Sequence, residues 1–209
     1  LFNYYVVDDL APAGMRDYIE NAIMRGCNWH FGDSATGLSS SERDPNNKNI
    51  KESAQFVDLF YDMDEGVQTP MNGNIAVPLL WFLEDRTGLK VRNLYRIKAN
   101  LLLPNGSEEH NYTVPHIDHG DPNAISMVYY VNDSDGDTVI FQNHVSQGFH
   151  NLETLHSNKP KKGSSIVFPS TRFHSSSNPI TTSKRVIVNF VFTVDEQSYN
   201  EFIKRCIDE

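Results

Sequence analysis

The sequence predicts a mainly β protein, a sandwich or jelly roll with helices packed on its outside. Three observations carry this. Residues 91–194 run as short apolar segments rich in Val, Ile, Tyr and Phe, separated by stretches rich in Gly, Asp, Asn, Ser and Pro. Helical periodicity is confined to the first 90 residues and the last fifteen. No repeat or low-complexity tract interrupts this order. Within 209 residues it corresponds to one domain: an N-terminal support region over 1–90, a β core over 91–194 and a closing helix over 195–209.

The elements follow in order. A short strand is expected over 3–7. A helix follows, with Pro12 in its first turn, Met15, Tyr18, Ile19, Ala22 and Ile23 on one face, and Gly26 at its end. Residues 29–32 read as a strand and 33–49 as a long surface loop of the kind that can cover a substrate. Residues 53–63 read as a helix, and 74–86 as another, with Pro78 near its start and Gly88 beyond its end. A long strand over 91–103 alternates, with Leu94, Arg96, Lys98 and Asn100 on one face and Tyr95, Ile97, Ala99 and Leu101 on the other. Arg96 and Lys98 are expected to face water. A polar loop over 104–115 follows. Residues 125–131 and 138–141 read as a hairpin about the Asp135-Gly136 turn. A connection over 143–162 holds a candidate strand at 149–155. The last strand runs from Arg185 to Val194, and Asp195 caps a helix with Tyr199, Phe202, Ile203 and Cys206 on its apolar face.

Composition narrows the function. A net charge of −9 disfavours duplex nucleic acid as a partner. The apolar runs are too short to span a bilayer, and no secretory leader is expected at the N-terminus. Cys27 and Cys206 do not form a disulfide framework, which points to a reducing, cytoplasmic location. The three Asn-x-Ser/Thr sequences at Asn105, Asn111 and Asn132 then count as chance matches.

The candidate chemistry lies in Pro115-His116-Ile117-Asp118. On an extended strand, His116 and Asp118 would share a face and could reach one ion, with His174 as a third ligand. Two His and one carboxylate leave coordination positions open, the facial arrangement of non-haem Fe(II) oxygenases. His119 has the opposite parity and is expected outside the metal shell. His110, His144, His150 and His156 lack mutual ligand spacing and read as surface residues. Arg185 follows His174 by eleven residues and opens the apolar strand Arg185-Val186-Ile187-Val188-Asn189-Phe190. A guanidinium there requires an anionic partner.

The order His-x-Asp, distal His, Arg resembles the Fe(II)/2-oxoglutarate-dependent dioxygenase superfamily. Tyr129-Tyr130-Val131-Asn132 and Gly136-Asp137-Thr138-Val139-Ile140-Phe141 resemble its prolyl-4-hydroxylase-like branch, and the likeness spans about residues 91–194. The resemblance implies a double-stranded β-helix with the metal in its mouth. His116, Asp118 and His174 would hold Fe(II), with 2-oxoglutarate and dioxygen as cosubstrates. Arg185 would anchor the far carboxylate of 2-oxoglutarate, helped by Tyr130 and with Asn189 facing the same cavity. The branch's other tyrosine has no counterpart, since Leu103 stands in its place, and Asn100 is the substitute. The implied activity is hydroxylation of a peptidyl proline or of a small molecule, with release of succinate and carbon dioxide. Two alternatives remain at this point: a catalytically silent jelly-roll binding module, and a zinc hydrolase using the same three ligands.

Overall fold

The chain divides its strands between two antiparallel sheets, because the central segments are apolar on both faces and need cover on each side. In the computed structural model, the described residues are 2–34, 50, 53–109, 111–147 and 151–208. The elements in chain order are β1 (Tyr5–Val7), α1 (Ala13–Gly26), β2 (His30–Gly32), β3 (Gln55–Asp62), β4 (Gly66–Val67), a π-helical turn (Asn72–Ala76) that runs into α2 (Val77–Thr87), β5 (Val91–Leu102), β6 (Ala124–Tyr130), β7 (Thr138–His144), β8 (Thr154–Asn158), β9 (Ser165–Pro169), β10 (Arg172–Ser176), β11 (Arg185–Val194) and α3 (Glu196–Asp208). The large sheet has the order β1-β9-β6-β11-β5-β3-β2, with β4 paired to β3. The small sheet has the order β10-β7-β8. This is the jelly-roll class expected from the sequence.

β6 and β11 are buried over almost their whole length. Ile125, Met127 and Tyr129 of β6 and Val186, Val188, Phe190 and Phe192 of β11 join the outer core, where the helices pack. α1 contributes Ile19 and Ile23, α2 contributes Leu79, Leu80 and Leu83, and α3 contributes Phe202. Phe202 meets Phe2 and Tyr5 edge-on at 5.3 and 5.2 Å. Val128, Tyr130, Ile140, Ile166, Phe168 and Ile187 form a second core from β6, β7, β9 and β11, so it spans both sheets. The alternate residues Arg185, Ile187 and Asn189 of β11 therefore face the interior between the sheets. α2 ends on Gly88, whose φ of 74° is the left-handed conformation glycine adopts freely. Asp195 Oδ1 accepts from the Ser198 amide (3.1 Å), which is the expected cap on α3. No helix among the described residues is long and apolar enough to cross a membrane.

Several expectations need correction. Residues 53–63 are not a helix. Gln55–Asp62 is strand β3, paired with β5 and β2. A bulge between Leu59 and Tyr61 puts Phe60 out of step, and the broken alternation places Phe56, Phe60 and Met63 at helix-like spacing. β6 and β7 are not a hairpin. β6 pairs with β9 and β11, whereas β7 pairs with β10 and β8. The Asp-Gly turn instead carries the chain from one sheet to the other. Asp135 accepts hydrogen bonds there from the backbone amides of Ile180, Thr181 and Thr182 and from both threonine hydroxyls (2.6–3.2 Å), tying this crossing to the one after β10. At Gly136 a Cβ would lie 2.5 Å from the Ser177 carbonyl oxygen, so only glycine fits. The strand expected at 149–155 begins at Thr154, and residues 148–150 lie outside the described residues. The faces of β5 also swap once. Bulges in the β5–β11 register send Leu94 to the outer core with Ile97 and Ala99. The expected surface loop over 33–49 falls almost wholly outside the described residues, as do His110 and His150.

Candidate metal centre and its cavity

Three segments bring the candidate ligands together. His116 forms a single antiparallel bridge with His174, each amide donating to the other's carbonyl at 2.9 Å. The Asp118 amide donates to the Ser170 carbonyl at 3.0 Å. Hence His116 and Asp118 do not meet through strand parity, as the sequence suggested, because Asp118 lies in a bend. Backbone bonds to β10 and to the turn before it bring them into place instead. The ligand atoms of His116, Asp118 and His174 lie within 4.8 Å of one another.

The donor set fits a divalent metal. The Nδ1 atoms of His116 and His174 lie 3.3 and 3.1 Å from the Val114 and Arg172 carbonyl oxygens. A carbonyl cannot donate, so each Nδ1 carries the proton and each Nε2 presents a lone pair. Burial, with His174 beside it, pushes the His116 imidazole down to about 3, so it is neutral at ordinary pH and able to ligate. Burial works against the charge of Asp118, but its neighbours, the Arg96 guanidinium and the Ser126 hydroxyl among them, outweigh it and hold the carboxyl well below the usual range. Asp118 Oδ2 accepts from Ser126 Oγ (2.7 Å) and Asn189 Nδ2 (3.0 Å), and Oδ1 accepts from Arg96 Nη2 (2.9 Å). Ser126 spends its proton on Asp118, so Ser170, 2.9 Å away, donates to it in turn. A carboxylate held by three donors is fixed in one orientation.

From this centre a cavity of about 520 Å³, counting its open mouth, runs over the inner face of the paired strands β5 and β11, opposite β7 and β10, to Arg185. Arg185 is 3% exposed. Its Nε donates to the Gly136 carbonyl (2.7 Å) and its Nη2 to Thr138 Oγ1 (2.8 Å). No carboxylate among the described residues forms an ion pair with it. Asn100 and Asn189 also line the cavity. Asn100 Nδ2 donates to Gln55 Oε1 at 2.8 Å, and Asn189 is tied to Asp118 and Arg96.

Tyr130 is not on the cavity wall. It is fully buried, its hydroxyl donates to Thr138 Oγ1 (2.9 Å), and it accepts from Asn158 Nδ2 (3.0 Å). Thr138 thus accepts from both Tyr130 and Arg185, which leaves its own proton to point into the cavity. Leu103 is 45% exposed and lies off the site. Arg96 and Lys98 were expected in water, but the structure puts both on the cavity wall. Sequence reasoning missed Gln55, because its strand was read as helix, and missed Ser126 and Ser170. Thr138 was visible only as part of the Gly136–Phe141 pattern.

His119 stacks on Tyr95 at 4.3 Å and stands outside the triad, as expected. His144 and His156 are not free surface groups. His144 Nε2 lies 2.8 Å from Arg172 Nη2, and His156 stacks on Tyr4 at 4.1 Å. Cys27 is a free, half-buried thiol, and burial beside Asp58 pushes it up to about 12. The side chain of Cys206 lies outside the described residues.

Residues 103–193 match the family model of the 2OG-Fe(II) oxygenase superfamily. That span contains the whole triad and Arg185, and the family uses Fe(II), 2-oxoglutarate and dioxygen. Solved structures share the fold over most of the chain. A 2OG-Fe(II) oxygenase family oxidoreductase from Burkholderia pseudomallei is 13% identical, with a TM-score of 0.65 over 91% of this chain and 85% of its own. The α-ketoglutarate-dependent epimerase SnoN from nogalamycin biosynthesis is also 13% identical, with a TM-score of 0.62 over 91% and 77%. A Pseudomonas putida prolyl-4-hydroxylase is 16% identical, with a TM-score of 0.51 over 91% and 92%. At these identities the likeness is one of fold. None of the curated proteins compared with the chain matches it in sequence.

Proposed function

We propose that the chain is an Fe(II)- and 2-oxoglutarate-dependent dioxygenase that hydroxylates a C–H bond of a peptide or small molecule. In this reading residues 91–194 carry the chemistry, and the helices of 1–90 and 195–209 support them within one domain. The observation that carries it is Arg185: a buried guanidinium with no acidic partner among the described residues, at the far end of a cavity whose other end holds two His and one Asp. A buried cation of this kind needs an anion, and the guanidinium fork suits a carboxylate. A silent binding module would not need the prepared Nε2 lone pairs, and a zinc hydrolase would give Arg185 no task.

His116 and His174 would hold iron through Nε2, and Asp118 through a carboxylate oxygen oriented by Ser126, Asn189 and Arg96. Iron bound there, with 2-oxoglutarate and dioxygen, supplies the oxidising power, and 2-oxoglutarate leaves as succinate and carbon dioxide. Arg185 and the Thr138 hydroxyl would clamp the far carboxylate of 2-oxoglutarate. Val128 and Ile187 give the cavity dry wall on the same side. A prolyl-4-hydroxylase and an epimerase both stand among the similar folds, and we assign hydroxylation as the outcome that needs no further group on this chain.

Anaerobic titration of the purified protein with Fe(II) and then 2-oxoglutarate tests the assignment. A weak visible charge-transfer band that saturates at one equivalent is expected. Tight Zn(II)-dependent hydrolysis of esters with no such band would favour the hydrolase.

A further inference from the structure

Beyond the cosubstrate anchor, the cavity holds two more cations: Arg96, which the proposed reaction uses only to orient Asp118, and Lys98, which it does not use. Its walls carry Arg96, Lys98 and Arg185 against a single carboxylate, Asp118, in a chain whose net charge is −9. Lys98 has no hydrogen bond or ion pair among the described residues, and it is half-buried on the cavity wall between Asn100 and Arg96. Arg96 uses Nη2 for Asp118 and Asn189, while its buried Nε has no partner. A half-buried cation without a partner, as Lys98 is, carries a desolvation cost that a ligand supplying the counter-charge would offset.

The register says which ligand. Along the β5–β11 pair, Arg185 lies opposite Leu102, Lys98 opposite Asn189, and Arg96 opposite Val191. Asn189 and Arg96 both bond Asp118, so the metal centre sits at the Lys98–Arg96 level. Arg185 is four residues further along the strand, roughly 13 Å at 3.3 Å per residue. A 2-oxoglutarate reaching from the metal to Arg185 extends away from Arg96. Charge gives the same answer. Two carboxylates of 2-oxoglutarate balance an Fe(II) ion, and Asp118 balances one of the three side-chain cations, which leaves two positive charges over.

We infer that Arg96 and Lys98 bind an oxyanion on the primary substrate, so that the enzyme takes a small anionic molecule, a carboxylate or a phosphate, held by this pair beside the metal. This rests on the function proposed above. A neutral residue within a polypeptide would leave Lys98 unpaired and Arg96 with Asp118 as its one counter-charge.

The test uses the Fe(II)–2-oxoglutarate protein under nitrogen. N-acetyl amino acids, their amides, and small alkyl phosphates are titrated in, and binding is read from the shift of the visible band. Acids or phosphates should bind at least about tenfold more tightly than the matched neutral compounds. Carboxylates against phosphates in the panel separates the two sources. Lys98→Met should abolish that preference, leave the 2-oxoglutarate titration within about twofold of the parent, and not lower Tm, because a half-buried charge without a partner is gone. Lys98→Arg should keep the preference. Amides binding as well as acids, or no anion in the panel shifting the band, would overturn the inference. So would a loss of 2-oxoglutarate affinity in Lys98→Met as large as that in Arg185→Ala, because Lys98 would then serve the cosubstrate. Absence of the band in the parent protein is a different failure, that of the proposed function itself.

Discussion

Asp118 is the residue on which the polar contacts of the centre converge, and this separates it from the two histidines. Replacing His116 or His174 with Ala removes a nitrogen ligand and one bond to a backbone carbonyl. Replacing Asp118 with Ala also strips Ser126, Asn189 and Arg96 of their acceptor. All three variants are expected to lose stoichiometric iron, read by metal analysis after reconstitution. Only Asp118→Ala is expected to lose about 3–5 kcal/mol of stability in denaturant titration as well, because a partly buried Arg96 is left uncompensated. Full iron occupancy in His174→Ala would remove that residue from the centre. The triad was legible because His-x-Asp followed by a distal His is a pattern in residue identity. Arg96 and Lys98 were not, since cations alternating with Ile97 and Ala99 look like the solvated face of an edge strand. Only the pairing of β5 with both β11 and β3 turns that face inward.

Elements were easiest to read where one face or both were uniformly apolar, as in β11, α1 and α3, whose bounds fell within a few residues of those expected. They were hardest where a bulge broke the period, as in β3, or where a turn signal carried no information about partners. Asp135-Gly136 marked a turn correctly, yet a turn between two strands that need cover on both faces can cross between sheets rather than close a hairpin. Gly136 is where this geometry reaches the site. Its carbonyl accepts from Arg185 Nε, and a side chain at 136 would press on the Ser177 carbonyl and on Arg185 Cδ. Gly136→Ala should therefore cost about 1–3 kcal/mol of stability and weaken 2-oxoglutarate binding with iron affinity unchanged. Calorimetric titration of iron and of 2-oxoglutarate would separate the two, and an unchanged affinity for 2-oxoglutarate would show that the crossing does not position the anchor.

Across the whole molecule, two of the crossings between sheets, β6 to β7 and β10 to β11, are joined at Asp135, which makes the fold sensitive to acid. Burial disfavours its charge, but the hydroxyls and amides of Thr181 and Thr182 outweigh that and depress its pKa from the ordinary 3.8. A depressed folded-state pKa means that the unfolded chain takes up the proton first as pH falls. The contribution of Asp135 is thus complete above about pH 4 and declines below it. Tm measured from pH 7 to pH 3 should show Asp135→Asn well below the parent at neutral pH and converging on it as the acid limit is approached; a gap that stays constant with pH would mean that the carboxylate charge contributes nothing. The same molecule sets the cations Arg96, Lys98 and Arg185 on one cavity wall within a chain of net charge −9. The central claim is that Arg185 is the seat of 2-oxoglutarate, and the most direct test compares parent and Arg185→Ala in the anaerobic titration, with 2-oxoglutarate and with pyruvate, which lacks the far carboxylate. Removal of one partner from a buried charge pair commonly costs about 2–5 kcal/mol. Affinity for 2-oxoglutarate should therefore fall roughly thirtyfold or more while iron and pyruvate binding stay near the parent values, and Lys at 185 should restore it only in part. Equal affinity of the parent and Arg185→Ala for 2-oxoglutarate would contradict the assignment.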